Sequence, residues 1–304
     1  MRRLLINADD FGLTPGVNRA IVEAHTQGVV TSATLMANGP AFDDAVRRAK
    51  STPRLSIGCH VVLVDGSPVL SASQIPSLVD RPRIHGMDEN PKDTGPEATR
   101  FGESLSKFAV LARLGRIVPE QIEEEATAQI RKLQTAGTTV SHLDSHKHTH
   151  LFPNVLQPLL RAAQACGVRA IRNPFGRVRF ALVAKRPGLW KRYGEIKLLG
   201  APAGRFVRAV REAGMTTPDG ILGVIATGAL DQQLFRSMVE NLPEGTWEFV
   251  CHPGYNDAEL QRVRTRLKAS RQQELQILIS AESRELLAGE GIELISYCDL
   301  ARST

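Results

Sequence analysis

The chain has 304 residues, of which 42% are hydrophobic, and its glycines and prolines are scattered rather than repetitive. This composition excludes a disordered or fibrous protein and is sufficient for a full hydrophobic core. The net charge of +6 is compatible with an anionic partner or with an ordinary basic surface. Because no helix-turn-helix, zinc-finger or aromatic RNA-binding pattern occurs, we do not expect the protein to bind nucleic acid.

The amino-terminal segment predicts neither a signal peptide nor a membrane anchor. Its apolar run extends only from Leu4 to Ile6, and no stretch of the chain approaches the roughly 18 apolar residues that a membrane span needs. The cysteines lie far apart without CxxC spacing, so they predict buried thiols rather than disulfides or a zinc finger. They are Cys59, Cys166, Cys251 and Cys298. We therefore expect a cytoplasmic protein.

Short apolar, β-branched runs alternate with longer amphipathic runs, a pattern typical of βα units around a parallel sheet. Strands are predicted at 3–8, 29–36, 55–62, 140–143, 168–172, 221–225, 247–251 and 292–296. Helices are predicted at 15–27, 41–49, 119–136, 154–165, 231–240 and 266–287. The count favours an α/β fold, a single-domain βα barrel over 1–304 of TIM type or an irregular form of it, rather than an open sheet.

Two long insertions interrupt this alternation. The segment 65–115 is rich in proline and follows a strand directly, and loops at that position are where barrels build substrate sites or lids. The segment 177–211 contains ten Lys or Arg residues and one acid, Glu195. It predicts either an ordinary helix with a solvated basic face or a surface for an anionic membrane.

Chemistry-bearing residues stand at the carboxyl ends of several predicted strands. Asp9 and Asp10 end the first strand, where they could ligate a metal, handle a proton or only cap the next helix. His60 lies in an apolar strand, where a histidine is either a satisfied core residue or a ligand. His252 precedes a Pro-Gly turn that could be purely structural, and Arg172 ends another strand, with a guanidinium available for a substrate or for a carboxylate.

A histidine-rich run occupies positions 142–150. Four of the eight histidines of the chain fall within these nine positions, and alternation along a strand predicts that His142, Asp144, His146, His148 and His150 share one face. A solvent-exposed tract is the alternative. Because a barrel brings strand ends together, the carboxylates and imidazoles are expected to converge, and such ligands suit zinc, nickel, cobalt, manganese or iron.

At these positions the sequence resembles the YdjC-like carbohydrate deacetylase family. The shared motifs are ADDFG at 8–12, GxHxxL at 58–63, DSHxHxH at 144–150 and HPG at 252–254, and they span nearly the whole chain. The resemblance implies a metal-dependent N-deacetylase that holds one divalent ion, zinc or magnesium, with manganese, cobalt or nickel as alternatives.

By this resemblance Asp10, His60 and His146 would bind the ion. Asp9 would be the catalytic base and His252 the catalytic acid. The residues expected to contact the substrate are Arg172, His148 and His150.

Within the family, the stretches at 31–46 and 61–80 are most similar to the hopanoid-biosynthesis-associated branch. This implies an N-acetylglucosaminyl hopanoid as substrate and a peripheral position at the inner face of the membrane. A chitooligosaccharide substrate is the alternative, and the sequence leaves a homodimer open. Three rival functions use similar residues: a glycoside hydrolase, a non-haem iron oxygenase and a non-catalytic sugar-binding or metal-binding module.

Overall fold

The computed structural model describes residues 1–80, 99–176, 180–200 and 202–302. Within these ranges the strands are β1 Arg2–Phe11, β2 Ser32–Leu35, β3 Ser56–Val61, β4 Leu143–Ser145, β5 Gly220–Leu222, β6 Gly245–Cys251 and β7 Glu293–Leu294. The helices are α1 Pro15–Thr26, α2 Phe42–Ser51, α3 Leu105–Arg113, α4 Pro119–Thr135, α5 Pro153–Ala165, α6 Trp190–Leu199, α7 Ala203–Glu212, α8 Gln232–Glu240, α9 Ala258–Arg262, α10 Ala269–Ile279, α11 Ala281–Gly289 and α12 Tyr297–Arg302. The predicted α/β fold is confirmed.

The strands form one parallel sheet in the order β4-β3-β2-β1-β6-β5, with β7 paired to the first residues of β1. Parallel strands need crossover connections, and the helices between successive strands supply them. Nearly every residue of β1 is buried, as expected for a parallel strand that is covered on both faces. The carboxyl ends of the strands therefore lie at one edge of the sheet.

Alternate residues of the central strands give the sheet one apolar and one polar face. On β1, Leu4, Ile6 and Ala8 belong to the large hydrophobic core, whereas Asn7 and Asp9 hydrogen-bond to each other on the opposite face. Because alternate residues of a strand point the same way, the polar residues of neighbouring strands meet on this second face. It carries the buried charges described below.

The expected barrel is present only in part. The predicted strand at 168–172 makes single bridges, Ile171 with Leu143 and Ala170 with Thr216. Pro174, two residues beyond this segment, has no backbone N–H and limits its extension. Backbone hydrogen bonds from this segment nevertheless reach the β4 and β5 sides of the sheet, so it links them without completing eight strands.

Two further predictions are wrong in detail. β4 ends at Ser145, and residues His146–Leu151 form a 3-10 turn in which Lys147 and His148 have positive φ. The histidines therefore do not alternate on one face. The helix predicted at 266–287 is two helices, because Ser280 is extended and its hydroxyl accepts from the Ser283 N–H to begin α11.

The two insertions contain helices. The excursion predicted at 65–115 includes α3, and its residues 81–98 lie outside the described residues. The basic segment at 177–211 forms α6 and α7, while its residues 177–179 and 201 are outside that description. No helix among the described residues is long and apolar enough to cross a membrane.

Candidate active site

The end of β1 is bent so that two adjacent carboxylates face the same site. Asp10 has φ 67°, and the pairing register of β1 with β2 shifts between Ala8 and Phe11. A bulge of this kind breaks the alternation of side chains and re-aims one residue. Aspartate tolerates the left-handed conformation better than most residues do. Both Asp9 and Asp10 thereby line the same cavity.

Asp10, His60 and His146 form a tight triangle of ligand atoms. Asp10 Oδ1 lies 3.6 Å from His60 Nε2 and 3.5 Å from His146 Nδ1, and the two nitrogens are 3.3 Å apart. Atoms at such separations can share one ion about 2 Å from each, which is the distance at which zinc binds imidazole nitrogen and carboxylate oxygen. The three residues predicted as ligands are thus brought together with a geometry that fits a divalent cation.

Asp144 orients the His60 ring. His60 Nδ1 lies 2.7 Å from Asp144 Oδ1, so an Nδ1–H donated to the carboxylate leaves the Nε2 lone pair facing Asp10 and His146. Metal-binding histidines commonly have such a carboxylate partner. Burial by itself lowers the pKa of His60, but Asp144, Asp9 and Asp10 outweigh it and raise the pKa to about 9.

The buried Arg172 holds the Asp9 carboxylate in place. The Arg172 guanidinium donates through two nitrogens to the Asp9 carboxylate, at 2.8 and 2.6 Å, and it also ion-pairs with Asp144 and Glu248. Burial raises the pKa of Asp9, yet Arg172 more than compensates and holds that pKa well below its ordinary value. Asp9 is therefore a fixed, ionised carboxylate.

Asp9, His60 and Asp144 also form a compact group. Because Arg172 already ion-pairs with both carboxylates, we do not assign a metal ion to this second group.

His252 stands beside Asp9 at the end of β6. Its Nε2 lies 3.9 Å from Asp9 Oδ2, and its backbone N–H donates to Glu274 Oε2 at 2.6 Å. The same Glu274 oxygen is 3.9 Å from Nδ1 of the ring. A carboxylate and an imidazole are thus placed side by side at the cavity, an arrangement that can accept one proton and donate another.

These residues form the floor of a cavity of about 950 Å³. Its walls include Leu13 and Met36, the 263–268 segment, and Arg192, Glu195 and Ile196 of α6. A volume of this size is enough for a small sugar chain or another ligand of similar size. The basic insertion thus contributes directly to the cavity wall.

The residues expected to contact the substrate are placed differently from one another. His148 lines the cavity, and its Nδ1 is buried without a partner among the described residues. His150 is fully buried and bonded to Ser145 Oγ, and Arg172 is fully buried among its three carboxylates. Of the three residues expected to contact the substrate, His148 lines the cavity whereas Arg172 and His150 do not. Their substrate-contact roles stay predictions.

The sequence reasoning missed several charged residues around the site. Glu248 accepts hydrogen bonds from Arg172 and Tyr297, while Arg271 donates to Asp10 Oδ2 at 2.5 Å. Glu248 could have been recognised from the sequence, because a lone acid in a buried apolar strand needs a partner. Arg271 and Glu274 lie on α10, a helix rich in polar residues, where nothing in the sequence separates them from surface charges.

Fold and site together define an α/β protein in which an aspartate and two histidines, suited to one divalent cation, meet at the carboxyl edge of a parallel sheet. Within that class the chain belongs to the YdjC-like protein family, whose profile matches residues 3–289. The family predicted from the motifs is thus confirmed.

Relatives cover nearly the full chain. It is 33% identical over 299 residues to a carbohydrate deacetylase of Brevibacillus brevis, covering 98% of this chain and 99% of the relative. It is 34% identical to a carbohydrate deacetylase of Geobacillus stearothermophilus, with 97% of each chain covered. A crystal structure from Enterococcus faecalis, named for a proposed role in cellobiose-phosphate cleavage, superposes with a TM-score of 0.77 at 28% identity and 98% coverage of both chains.

Proposed function

We propose that the protein is a metal-dependent hydrolase that removes the acetyl group from an N-acetylglucosamine unit. The observation that carries this proposal is the ligand triangle of Asp10, His60 and His146 directly beside the Asp9–His252 pair. The carbohydrate deacetylase relatives support the same reaction class.

The chemistry divides between a cation and the protein's own side chains. A divalent ion at such a site acidifies water and acts as a Lewis acid toward a carbonyl oxygen. Asp9 accepts the proton of the attacking water. Because its pKa is low, Asp9 holds that proton only weakly, and Arg172 keeps the carboxylate aimed at the cavity. His252 donates a proton to the departing sugar nitrogen, so that acetate and a free amine are the products.

Acetate release from N-acetylated chitooligosaccharides tests the reaction. We expect free acetate with the glycosidic bonds intact, and we expect Asp9→Asn to keep its metal while turnover falls by about 10² to 10⁴-fold, the usual contribution of an acid–base group. Elemental analysis of the variant provides the control. Cleaved glycosidic bonds would indicate a glycoside hydrolase instead, and a requirement for a 2-oxo acid would indicate an oxygenase.

We further propose that the acetamido sugar is carried by a hopanoid lipid and that α6 contacts an anionic membrane. The resemblance to the hopanoid-associated branch supports the substrate. Exposed apolar side chains on α6 and just before it support the contact, because Phe180, Trp190 and Leu198 are 52%, 50% and 81% exposed. The exposed Lys191 and Lys197 lie on the same helix as Ile196 of the cavity wall.

Liposome co-sedimentation tests this contact. Each basic residue at an anionic surface contributes about 1 kcal/mol, so we expect binding to anionic vesicles that weakens with salt, and little binding to neutral vesicles. Replacing Lys185, Lys191 and Lys197 by Gln should abolish the binding. Arg186 and Arg192 are better left intact because Arg186 pairs with Asp231 and Arg192 donates to backbone carbonyls.

A matched control is Val110→Ser, which removes an exposed apolar side chain from α3. Deacetylation of soluble oligosaccharides together with absent vesicle binding would favour a chitooligosaccharide as substrate.

A further inference from the structure

The glycine of the His-Pro-Gly turn after β6 lies directly against a buried arginine. A Cβ atom at Gly254 would lie 3.0 Å from Cδ and 3.2 Å from Cβ of Arg271, and 3.1 Å from Cγ2 of Val17, closer than most real contacts of this kind. The Gly254 N–H also donates to the Arg271 carbonyl at 3.2 Å. The absence of a side chain at Gly254 therefore makes room for the stem of Arg271.

Arg271 crosses from α10 to the floor of the cavity. Its side chain is 1% exposed, Nε donates to the Leu267 carbonyl at 3.1 Å, and Nη2 donates to Asp10 Oδ2 at 2.5 Å. A guanidinium is costly to bury unless it is paired with a carboxylate in good geometry. Asp10 supplies that partner, so the two buried charges depend on each other.

The two oxygens of Asp10 are used separately. Oδ2 accepts from Arg271, whereas Oδ1 faces His60 Nε2 and His146 Nδ1 at 3.6 and 3.5 Å. A carboxylate free to rotate could place both oxygens on one ion, and a catalytic site must keep a position open for water or substrate.

We propose that Arg271 is a positioning residue that restricts Asp10 to one ligand oxygen, and that Gly254 is needed to admit its side chain. The inference rests on the proposed metal site. It also accounts for the glycine of the His-Pro-Gly motif, which the acid–base chemistry leaves unexplained.

Cobalt binding followed by visible absorption tests the inference, because the spectrum reports coordination number as well as occupancy. We expect Arg271→Met to shift the spectrum toward a higher coordination number and to change the cobalt affinity by about 10 to 100-fold, the usual size of effect when a residue that orients a ligand is lost. Gly254→Ala should act in the same direction, because the added methyl displaces Arg271. Arg271→Lys should be intermediate.

Gly204→Ala is the matched control, since a Cβ there meets nothing within 4 Å. A wild-type protein that binds no cobalt would refute the proposed metal site itself, whatever the variants do. If the wild type binds cobalt while Arg271→Met and Gly254→Ala keep its spectrum and affinity, Arg271 is merely structural and the inference fails, even if both variants unfold at lower temperature. If Arg271→Met does not fold, the cobalt spectra and affinities of Arg271→Lys and Gly254→Ala test the inference in its place.

Discussion

At the scale of single residues, we expect His60 to couple cation binding to the release of a proton. Its raised pKa of about 9 arises from Asp144 and the two neighbouring aspartates, which outweigh burial. The metal-free ring is therefore protonated at neutral pH, whereas a metal ion binds neutral imidazole. We expect the apparent metal affinity to rise about tenfold per pH unit between roughly pH 6 and 9 and then to level off.

Calorimetry at pH 7.5 in buffers of different ionisation enthalpy measures this exchange directly. About one proton should leave per ion bound, and fewer in Asp144→Asn, which loses the carboxylate that contributes most to the raised pKa. A proton count near zero in the wild-type protein would contradict the expectation.

The predicted site residues differ in how far sequence alone could assign them. The convergence of Asp10, His60 and His146 could be predicted because the carboxyl ends of parallel strands meet at one edge. That His148 lines the cavity while His150 does not could not be predicted. Positive φ at Lys147 and His148 ends the strand alternation, and no residue type there requires that conformation. The arginine network was equally hidden, since ion pairs across 163 positions, such as Arg172 with Asp9, leave no local pattern.

At the scale of elements, α4 fixes the loop that follows β3. The buried Glu125 accepts from the Val69 and Leu70 N–H groups at 2.8 and 2.9 Å, and Gln129 bonds both backbone groups of Val62. Glu125→Ala would leave two backbone donors without their acceptor. We expect a loss of about 3 to 6 kcal/mol in the free energy of unfolding, since two hydrogen bonds to a charged group are lost and each contributes about 1.5 to 3 kcal/mol.

Urea unfolding provides the measurement, and Glu124→Ala, at an exposed position on the same helix, provides the control. A change below about 0.5 kcal/mol, the usual range for surface substitutions, would show that the loop is held by other contacts. The existence of α4 followed from the periodic sequence and its Pro119 start. The hydrogen bonds of α4 to the loop after β3 could not be predicted, because the loop residues lie more than 50 positions away in the sequence.

At the scale of the whole molecule, Arg172 joins three strands through one guanidinium. Asp9 lies on β1, Asp144 on β4 and Glu248 on β6, and all three ion-pair with it. Arg172→Met would leave buried carboxylates without a counter-charge, so we expect a loss of about 3 to 5 kcal/mol in stability.

The pH dependence of that loss identifies its origin. Unpaired buried carboxylates bind protons more readily, and protonation removes their charge, so the deficit relative to the wild type should shrink as the pH falls from 8 toward 5. Chemical unfolding at both pH values measures it. A deficit that does not change with pH would mean that lost packing, not uncompensated charge, weakens the variant.

Because three carboxylates share the Arg172 guanidinium, substitutions at these positions constrain one another during evolution. A substitution at Asp9, Asp144 or Glu248 alters the charge balance felt by the other two, because all three are tied to Arg172. Single replacements therefore pass through a destabilised intermediate, whereas paired replacements that leave the net buried charge unchanged do not. We expect these four residues to be conserved or replaced together, and to be substituted more slowly than the exposed residues of α6.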